Sequence, residues 1–309
     1  MYSRSGFDQI QKDMTTGRFT FPVVVLLCLG LWSISAQSWT EIFSLGLCAL
    51  TSFFMIETNT AFTLIRTRAD FHISLYWLLA SICVFLHPYQ AAYWTVVAFM
   101  LSLYKLFESY EQHNCADYIF QSFFFLSLGS FAFPPFIWFA LPYFIGMMLF
   151  RSFTVKTFLA ALVGMATPYW ISFGVSFFVD QTGWLIETGR EMYRMSPFHF
   201  QQLAMKEMIT VGVILLLSLV SSIHYLFVAY KDKTKTRMLL FFFIQLEVWI
   251  LLGGMLFPNG LHSLIQLQLI LCAFLTGHLF TLTQNRLTNI FFMITLAVLV
   301  LLMFYNVWM

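Results

Sequence analysis

The chain has 309 residues, of which 60% are hydrophobic and 10% charged, and its formal net charge is +2. An ordinary soluble domain carries about 25% charged residues, and a single soluble core stops growing near roughly 250–300 residues, so this composition excludes a water-soluble fold. The small net charge, spread over short loop clusters instead of a stripe, argues against nucleic acid as a partner. We therefore expect an all-α, polytopic transmembrane helix bundle that forms a single integral membrane domain over residues 1–309.

The apolar runs predict about eleven membrane-spanning helices, since each span needs about 20 mostly apolar residues. The predicted spans are 20–36, 42–58, 71–86, 91–107, 116–132, 134–150, 157–179, 208–228, 238–257, 264–282 and 288–308. They leave a short polar segment at 1–19, and we interpret the span after it as a retained signal anchor. A longer helix over 42–65 is an alternative, so the sequence leaves open whether the second span ends before or after Glu57.

The distribution of basic residues predicts the orientation of these spans. With the segment 1–19 in the cytoplasm, thirteen of the sixteen Lys and Arg residues fall on the inner side. The other three, Arg190, Arg194 and Lys206, share one outer loop. The short outer connections contain no Lys or Arg; they are 38–41, 86–90, 133–135 and 257–262. This bias predicts an N-in, C-out topology.

The Pro134–Pro135 pair lies between the fifth and sixth predicted spans. Proline ends a helix interior and pushes the preceding residue out of the α region. The pair therefore predicts either a tight turn between two spans or a single broken helix.

The outer segment 180–207 is predicted to form an amphipathic helix in the membrane interface, because its apolar residues recur at helical spacing. Its opposite face carries Glu187, Arg190, Glu191 and Arg194. These charges are explained by two i,i+3 ion pairs, Glu187–Arg190 and Glu191–Arg194, on a wet helix face. Alternatively, Arg190 and Arg194 together with His199 form a candidate site for an anionic headgroup, since arginine binds phosphate in a bidentate manner.

Within the predicted spans, the unusual residues are Gln245, Glu247 and His278, on the ninth and tenth spans. A charge at mid-membrane costs about 2.5–3.5 kcal/mol on insertion scales, so we predict that Glu247 faces the protein interior. Because these spans form an antiparallel hairpin, the three side chains could meet. They form a candidate intramembrane polar site, either a structural hydrogen-bond network or a proton or ion site.

The inner loop 57–72 contains a third candidate site at Arg66, Arg68 and Asp70. These charges either set the topology and form a polar interface, or bind an anionic group at the cytoplasmic face. The five cysteines form no metal-ligand pattern, and we expect neither a metal nor a cofactor. Because the chain carries no phosphate-binding or catalytic motif, the sequence leaves open whether it is an enzyme.

Three stretches resemble an uncharacterised family of multi-pass inner-membrane proteins of Bacteroidetes: RTRADFHISLYWLLASICVFLHP, FPPFIWFALPYFIGMMLFRSF and FLAALVGMATPYW. The similar residues are Arg66, Arg68, Pro134, Pro135, Arg151, Phe153, Gly164, Pro168 and Tyr169, and the resemblance covers roughly residues 60–175. It implies a multi-pass location in the inner membrane of a Gram-negative cell. It implies no activity, since none is established for that family.

Three functions fit these features. The first is a non-catalytic scaffold or assembly component of the envelope, which needs no special residues. The second is a lipid-linked glycan polymerase or glycosyltransferase at the outer face, which predicts an outward cavity lined by the arginines of 180–207. The third is a proton-coupled secondary transporter, which predicts a midplane cavity lined by Glu247. The expected partners are membrane lipids, a lipid-linked or phosphate-bearing ligand, and other envelope proteins.

Overall fold

The computed structural model describes residues 6–35, 39–67, 70–112, 114–180, 182–195 and 204–308. In these ranges the chain forms thirteen α-helices and no β-strand. The helices are α1 (Gly6–Thr16), α2 (Thr20–Ser35), α3 (Thr40–Phe62), α4 (Phe71–Ile82), α5 (Ala92–Glu108), α6 (Ala116–Gly129), α7 (Ala140–Leu149), α8 (Val155–Phe178), α9 (Gly183–Tyr193), α10 (Met205–Val228), α11 (Thr234–Leu256), α12 (Leu261–Leu282) and α13 (Arg286–Trp308). The predicted all-α fold is confirmed.

Six helices in the described ranges are long and apolar enough to cross a membrane, namely α3, α8, α10, α11, α12 and α13. A seventh span results if α1 and α2, which meet at a 78° bend, are counted as one. The prediction of a multi-pass helical membrane protein is therefore confirmed. Every predicted span contains helical residues, but α4 to α7 have only 10 to 17 residues each. The number eleven stays a prediction.

Of the two alternatives for the second predicted span, the structure shows the longer helix, which ends after Glu57. Helix α3 continues past Glu57 and ends at Phe62. It ends there because Thr63 takes a left-handed conformation, with φ at 48°, and its N–H donates to the carbonyl of Asn59. The side-chain oxygen of Asn59 then accepts the N–H of Ile65 at 2.9 Å, which fixes the start of the inner loop.

The chain divides into two compact units. The first comprises Met1–Tyr89, Phe200–Arg237 and Gln268–Met309, and the second comprises Gln90–His199 and Met238–Leu267. Two of the four boundaries between the units fall inside α11 and inside α12, so each of these helices contributes residues to both units.

In the first unit, α1 is attached to the end of α12 by Gln11. Its side-chain amide donates to the carbonyls of Phe280 at 2.7 Å and Thr283 at 3.0 Å. The last carbonyls of a helix lack intrahelical partners, so this buried amide caps α12. The sequence predicted only a polar segment over 1–19, because a helix of 11 residues is too short to be recognised with certainty from its own pattern.

In the second unit, α8 packs closely on α6 through the G-x-x-x-P-Y motif. A Cβ on Gly164 would overlap the carbonyl oxygen of Phe120, so only glycine permits this approach. The Tyr169 hydroxyl is hydrogen-bonded to Ser130, and Ser127 donates to a backbone carbonyl of α8. Small residues and interhelical hydrogen bonds are typical of helix packing in lipid, where apolar surface gives no selective attraction.

The two prolines between α6 and α7 separate two helices. Helix α6 ends at Gly129, and a short 3-10 helix covers Pro134–Phe139 before α7 begins. Of the two alternatives for Pro134 and Pro135, the turn between separate helices is confirmed.

Candidate functional site

Of the segment 180–207, residues Gly183–Tyr193 form the helix α9, which ends before Arg194, and the position of the segment in the membrane interface stays a prediction. Within the second unit, hydrogen bonds of two tryptophans hold the two ends of α9. Trp184, near the start of α9, donates its indole N–H to the hydroxyl of Ser176 at 2.9 Å. Trp138 donates to the carbonyl of Met192, near the end of α9, also at 2.9 Å. These contacts hold α9 against α8 and against the 3-10 helix that follows the proline pair.

The charged face of α9 contains one ion pair of the predicted kind. Arg190 lies 3.5 Å from Glu187, and their side chains are 74% and 56% exposed. Exposed pairs of this geometry contribute about 0–1 kcal/mol. Arg190 also borders a shallow, open groove that it shares with Tyr193 and Arg194. His199, the third member of the predicted headgroup site, lies outside the described residues.

A cleft of about 280 Å³ lies in the second unit beside the end of α9. Its lining consists of Ala132, Phe133, Pro134, Pro135, Glu191, Arg194, Phe257, Gly260 and Ser263. These residues come from the connections 133–135 and 257–262 and from the segment 180–207, together with their immediate neighbours. The three connections that the sequence assigned to the same side of the membrane therefore meet at one cleft.

Helix α9 ends in a way that exposes the charges of the cleft. Its last residue is Tyr193, and Arg194 has φ at −75° and ψ at 80°, outside the helical region. The i,i+3 geometry that joins Glu187 and Arg190 is therefore lost one turn later. Among the residues that the structure describes, neither Glu191 nor Arg194 has a side-chain hydrogen bond or ion pair.

Two aromatic residues also line the cleft. Phe133 and Phe257 are buried, and the α-carbon of Gly260 lies so close to the Phe133 ring that a Cβ there would overlap it. The hydroxyl of Ser263 adds a polar group. Drug-sized ligands occupy pockets of about 300–1,000 Å³, so a cleft of about 280 Å³, just below this range, suits a compact polar group. An unpaired arginine in such a place suits the oxygens of a phosphate.

A second cluster of polar residues lies in the first unit, where the inner loop meets the turn between α10 and α11. Asp232 Oδ2 is 2.8 Å from His278 Nε2, and their side chains are 4% and 3% exposed. Arg66 approaches the same carboxylate at 3.9 Å and donates to the carbonyl of Lys231 at 3.2 Å. The ring of Tyr225 packs edge-on against His278 with centroids 4.9 Å apart.

Asp232 remains ionised in this cluster. Burial raises the pKa of its carboxyl group, but the hydrogen bond and the charge of His278, together with the charge of Arg66, lower the pKa below its usual value. A buried carboxylate is tolerated when it is paired and hydrogen-bonded, as here. The cluster therefore joins α12 to the inner loop and to the start of α11.

The predicted intramembrane site is found only in part. Glu247 is 6% exposed, which confirms that it faces the protein interior. Gln245 donates to the carbonyl of Pro142 at 3.1 Å, and the hydrogen-bonded partner of His278 is Asp232. The grouping of Glu247 with His278 stays a prediction.

Asp232 was not among the candidate residues, because the sequence KDK around it suggests only a solvated turn. At the inner-loop site, Arg66 takes part in the cluster and Asp70 is exposed. Arg68 lies outside the described residues.

All five cysteines are free thiols in buried positions. Among the described residues, no group of three or more His, Cys, Asp or Glu side chains could hold a metal ion. No protein-family model, curated protein or solved structure matches the chain. In the part of the chain that the structure describes, the cleft beside α9 and the Asp232–His278 cluster are the two candidate sites.

Proposed function

We propose that this protein is a multi-pass inner-membrane protein that binds a phosphate-bearing lipid headgroup in the cleft beside α9. The observation that carries the proposal is Arg194, which lines that cleft and, among the residues that the structure describes, has no side-chain hydrogen bond or ion pair. A scaffold needs no such cavity, whereas a protein that handles lipid-linked molecules needs a polar cleft at headgroup level. Binding of this kind is the first step of the predicted lipid-linked glycan chemistry.

The proposal includes the finer topology, with about eleven spans and an N-in, C-out orientation. Two groups of contacts support it. The cleft joins three connections that were assigned to the outer side. In the first unit, Arg66 contacts Lys231 and Asp232, which belong to a loop assigned, like its own, to the inner side. The inner membrane of a Gram-negative cell is part of this proposal because of the resemblance proposed over roughly residues 60–175.

The position of α9 also favours a lipid headgroup as the ligand. An amphipathic helix with aromatic anchors lies in the interface plane, at the depth of the lipid headgroups. Tryptophan is enriched at that depth, and Trp138 and Trp184 attach α9 to the membrane helices. A lipid that diffuses in the outer leaflet would thus present its phosphate at the level of Arg194.

The test is retention of phospholipid by the purified full-length protein, measured by native mass spectrometry. We expect Arg194→Gln to lower the bound phospholipid about tenfold, the factor that corresponds to one charge-assisted hydrogen bond. Arg190→Gln is the matched control, because it removes the same charge from an exposed pair on the same helix. Equal retention by the wild type and both variants would contradict the proposal.

A further inference from the structure

The cleft beside α9 carries both signs of charge. Glu191 and Arg194 line the same cavity, and among the described residues their side chains are paired neither with each other nor with another group. One turn earlier on the same helix, Glu187 and Arg190 do form a pair. The end of α9 therefore separates a carboxylate and a guanidinium that a continuous helix would have placed as neighbours.

We infer that the ligand of this cleft is zwitterionic, with a phosphate at Arg194 and a primary amine at Glu191, as in a phosphoethanolamine headgroup. The inference rests on the proposed function and specifies its ligand. A headgroup that is only anionic, such as phosphoglycerol or a pyrophosphate, would be attracted by Arg194 and repelled by Glu191. A zwitterion satisfies both charges and leaves the cleft neutral.

The amine should be primary, because of what a carboxylate binds. An ammonium group donates hydrogen bonds to carboxylate oxygens, and such charge-assisted bonds are about twice as strong as neutral ones. A quaternary ammonium has no N–H to donate, so it would leave the Glu191 carboxylate without a hydrogen bond, and the rings of Phe133 and Phe257 are buried and offer it little open aromatic face. The volume of about 280 Å³ suits a compact headgroup, while the acyl chains would remain in the bilayer.

The experiment adds one defined phospholipid at a time to delipidated full-length protein and measures bound lipid by native mass spectrometry. Phosphatidylethanolamine, phosphatidylglycerol and phosphatidylcholine are compared at equal concentration. We expect the wild type to retain phosphatidylethanolamine about tenfold more than either of the other two, which corresponds to one charge-assisted hydrogen bond. Glu191→Gln should remove this preference over phosphatidylglycerol. Glu187→Gln, which alters the exposed pair, should leave it unchanged.

The outcomes separate this inference from the proposed function. If the wild type retains phosphatidylglycerol as well as phosphatidylethanolamine, and Arg194→Gln lowers both, the phosphate site stands and the zwitterion is wrong. If the wild type retains phosphatidylcholine as well as phosphatidylethanolamine, the proposed hydrogen bond from an amine to Glu191 is wrong. If none of the three lipids is retained, both proposals fail. Glu191 is exposed, so Glu191→Gln should leave the fold intact. A thermal unfolding curve of each variant checks this.

Discussion

Removal of the Asp232 carboxylate should destabilise the protein strongly. The substitution Asp232→Ala leaves His278 buried, with a side chain that is 3% exposed and without its partner at 2.8 Å. Leaving a buried polar group without its hydrogen-bond partner costs about 1–3 kcal/mol, and more when the group is charged. The loss of Arg66 is a matched comparison: its side chain is 53% exposed and lies 3.9 Å from the same carboxylate. Arg66→Gln should therefore cost only about 0–1 kcal/mol.

The assay is equilibrium unfolding of the full-length protein in mixed detergent micelles at neutral pH, with a double-mutant cycle. Residues in direct contact show coupling energies of about 0.5–3 kcal/mol, so Asp232→Ala and His278→Leu together should cost less than the sum of the single changes. Since the pKa of Asp232 is lowered on folding, its contribution is complete at neutral pH and is lost as the pH falls through the folded pKa. If Asp232→Ala lowers the free energy of unfolding no more than Arg66→Gln does, the proposed contribution of the Asp232–His278 contact is refuted.

Three further predictions concern separate parts of the molecule. Gln11→Ala should expose two carbonyls at the end of α12, cost about 1–3 kcal/mol and increase hydrogen exchange in α1, whereas unchanged exchange would contradict the cap. Gly260→Ala should force the Phe133 ring to move, which should lower the free energy of unfolding by about 1–3 kcal/mol and also lower lipid retention. Gly189→Ala is the control, because a Cβ at Gly189 would face open space. Burial lowers the pKa of His87 to about 4, so between pH 6.5 and pH 4 this histidine is protonated in the unfolded chain and neutral in the folded protein. The melting temperature should therefore fall as the pH drops from 6.5 towards 4. It should fall less steeply in His87→Gln.

The sequence predicted the features that depend on local composition. Long apolar runs identified the helices, because lipid leaves helical hydrogen bonding as the main way to satisfy the backbone. The apolar period predicted α9, and the i,i+3 spacing predicted the Glu187–Arg190 pair. The same spacing predicted a Glu191–Arg194 pair, which was wrong among the described residues, because α9 ends at Tyr193. The proline pair correctly predicted a turn, since proline can continue neither of the flanking helices.

Contacts between distant segments were not predictable in the same way. The pairing of Asp232 with His278 joins residues 46 positions apart, and Gln11 caps carbonyls about 270 positions away. No local pattern encodes such contacts, because they depend on how the helices pack. The role proposed for Arg194 likewise depends on where α9 ends, and the sequence pattern continues past that point.

The position of the cleft on the outer side of the membrane is the central claim, and thiol accessibility tests it most directly. The native cysteines are buried, so single cysteines introduced at exposed positions can be labelled against a low background. Met195→Cys reports on the end of α9 beside Arg194, and Lys233→Cys reports on the turn beside Asp232. In right-side-out spheroplasts, an impermeant maleimide should label Met195→Cys directly and Lys233→Cys only after permeabilisation. Labelling of both without permeabilisation, or the reverse order, would contradict the topology and the outward cleft together.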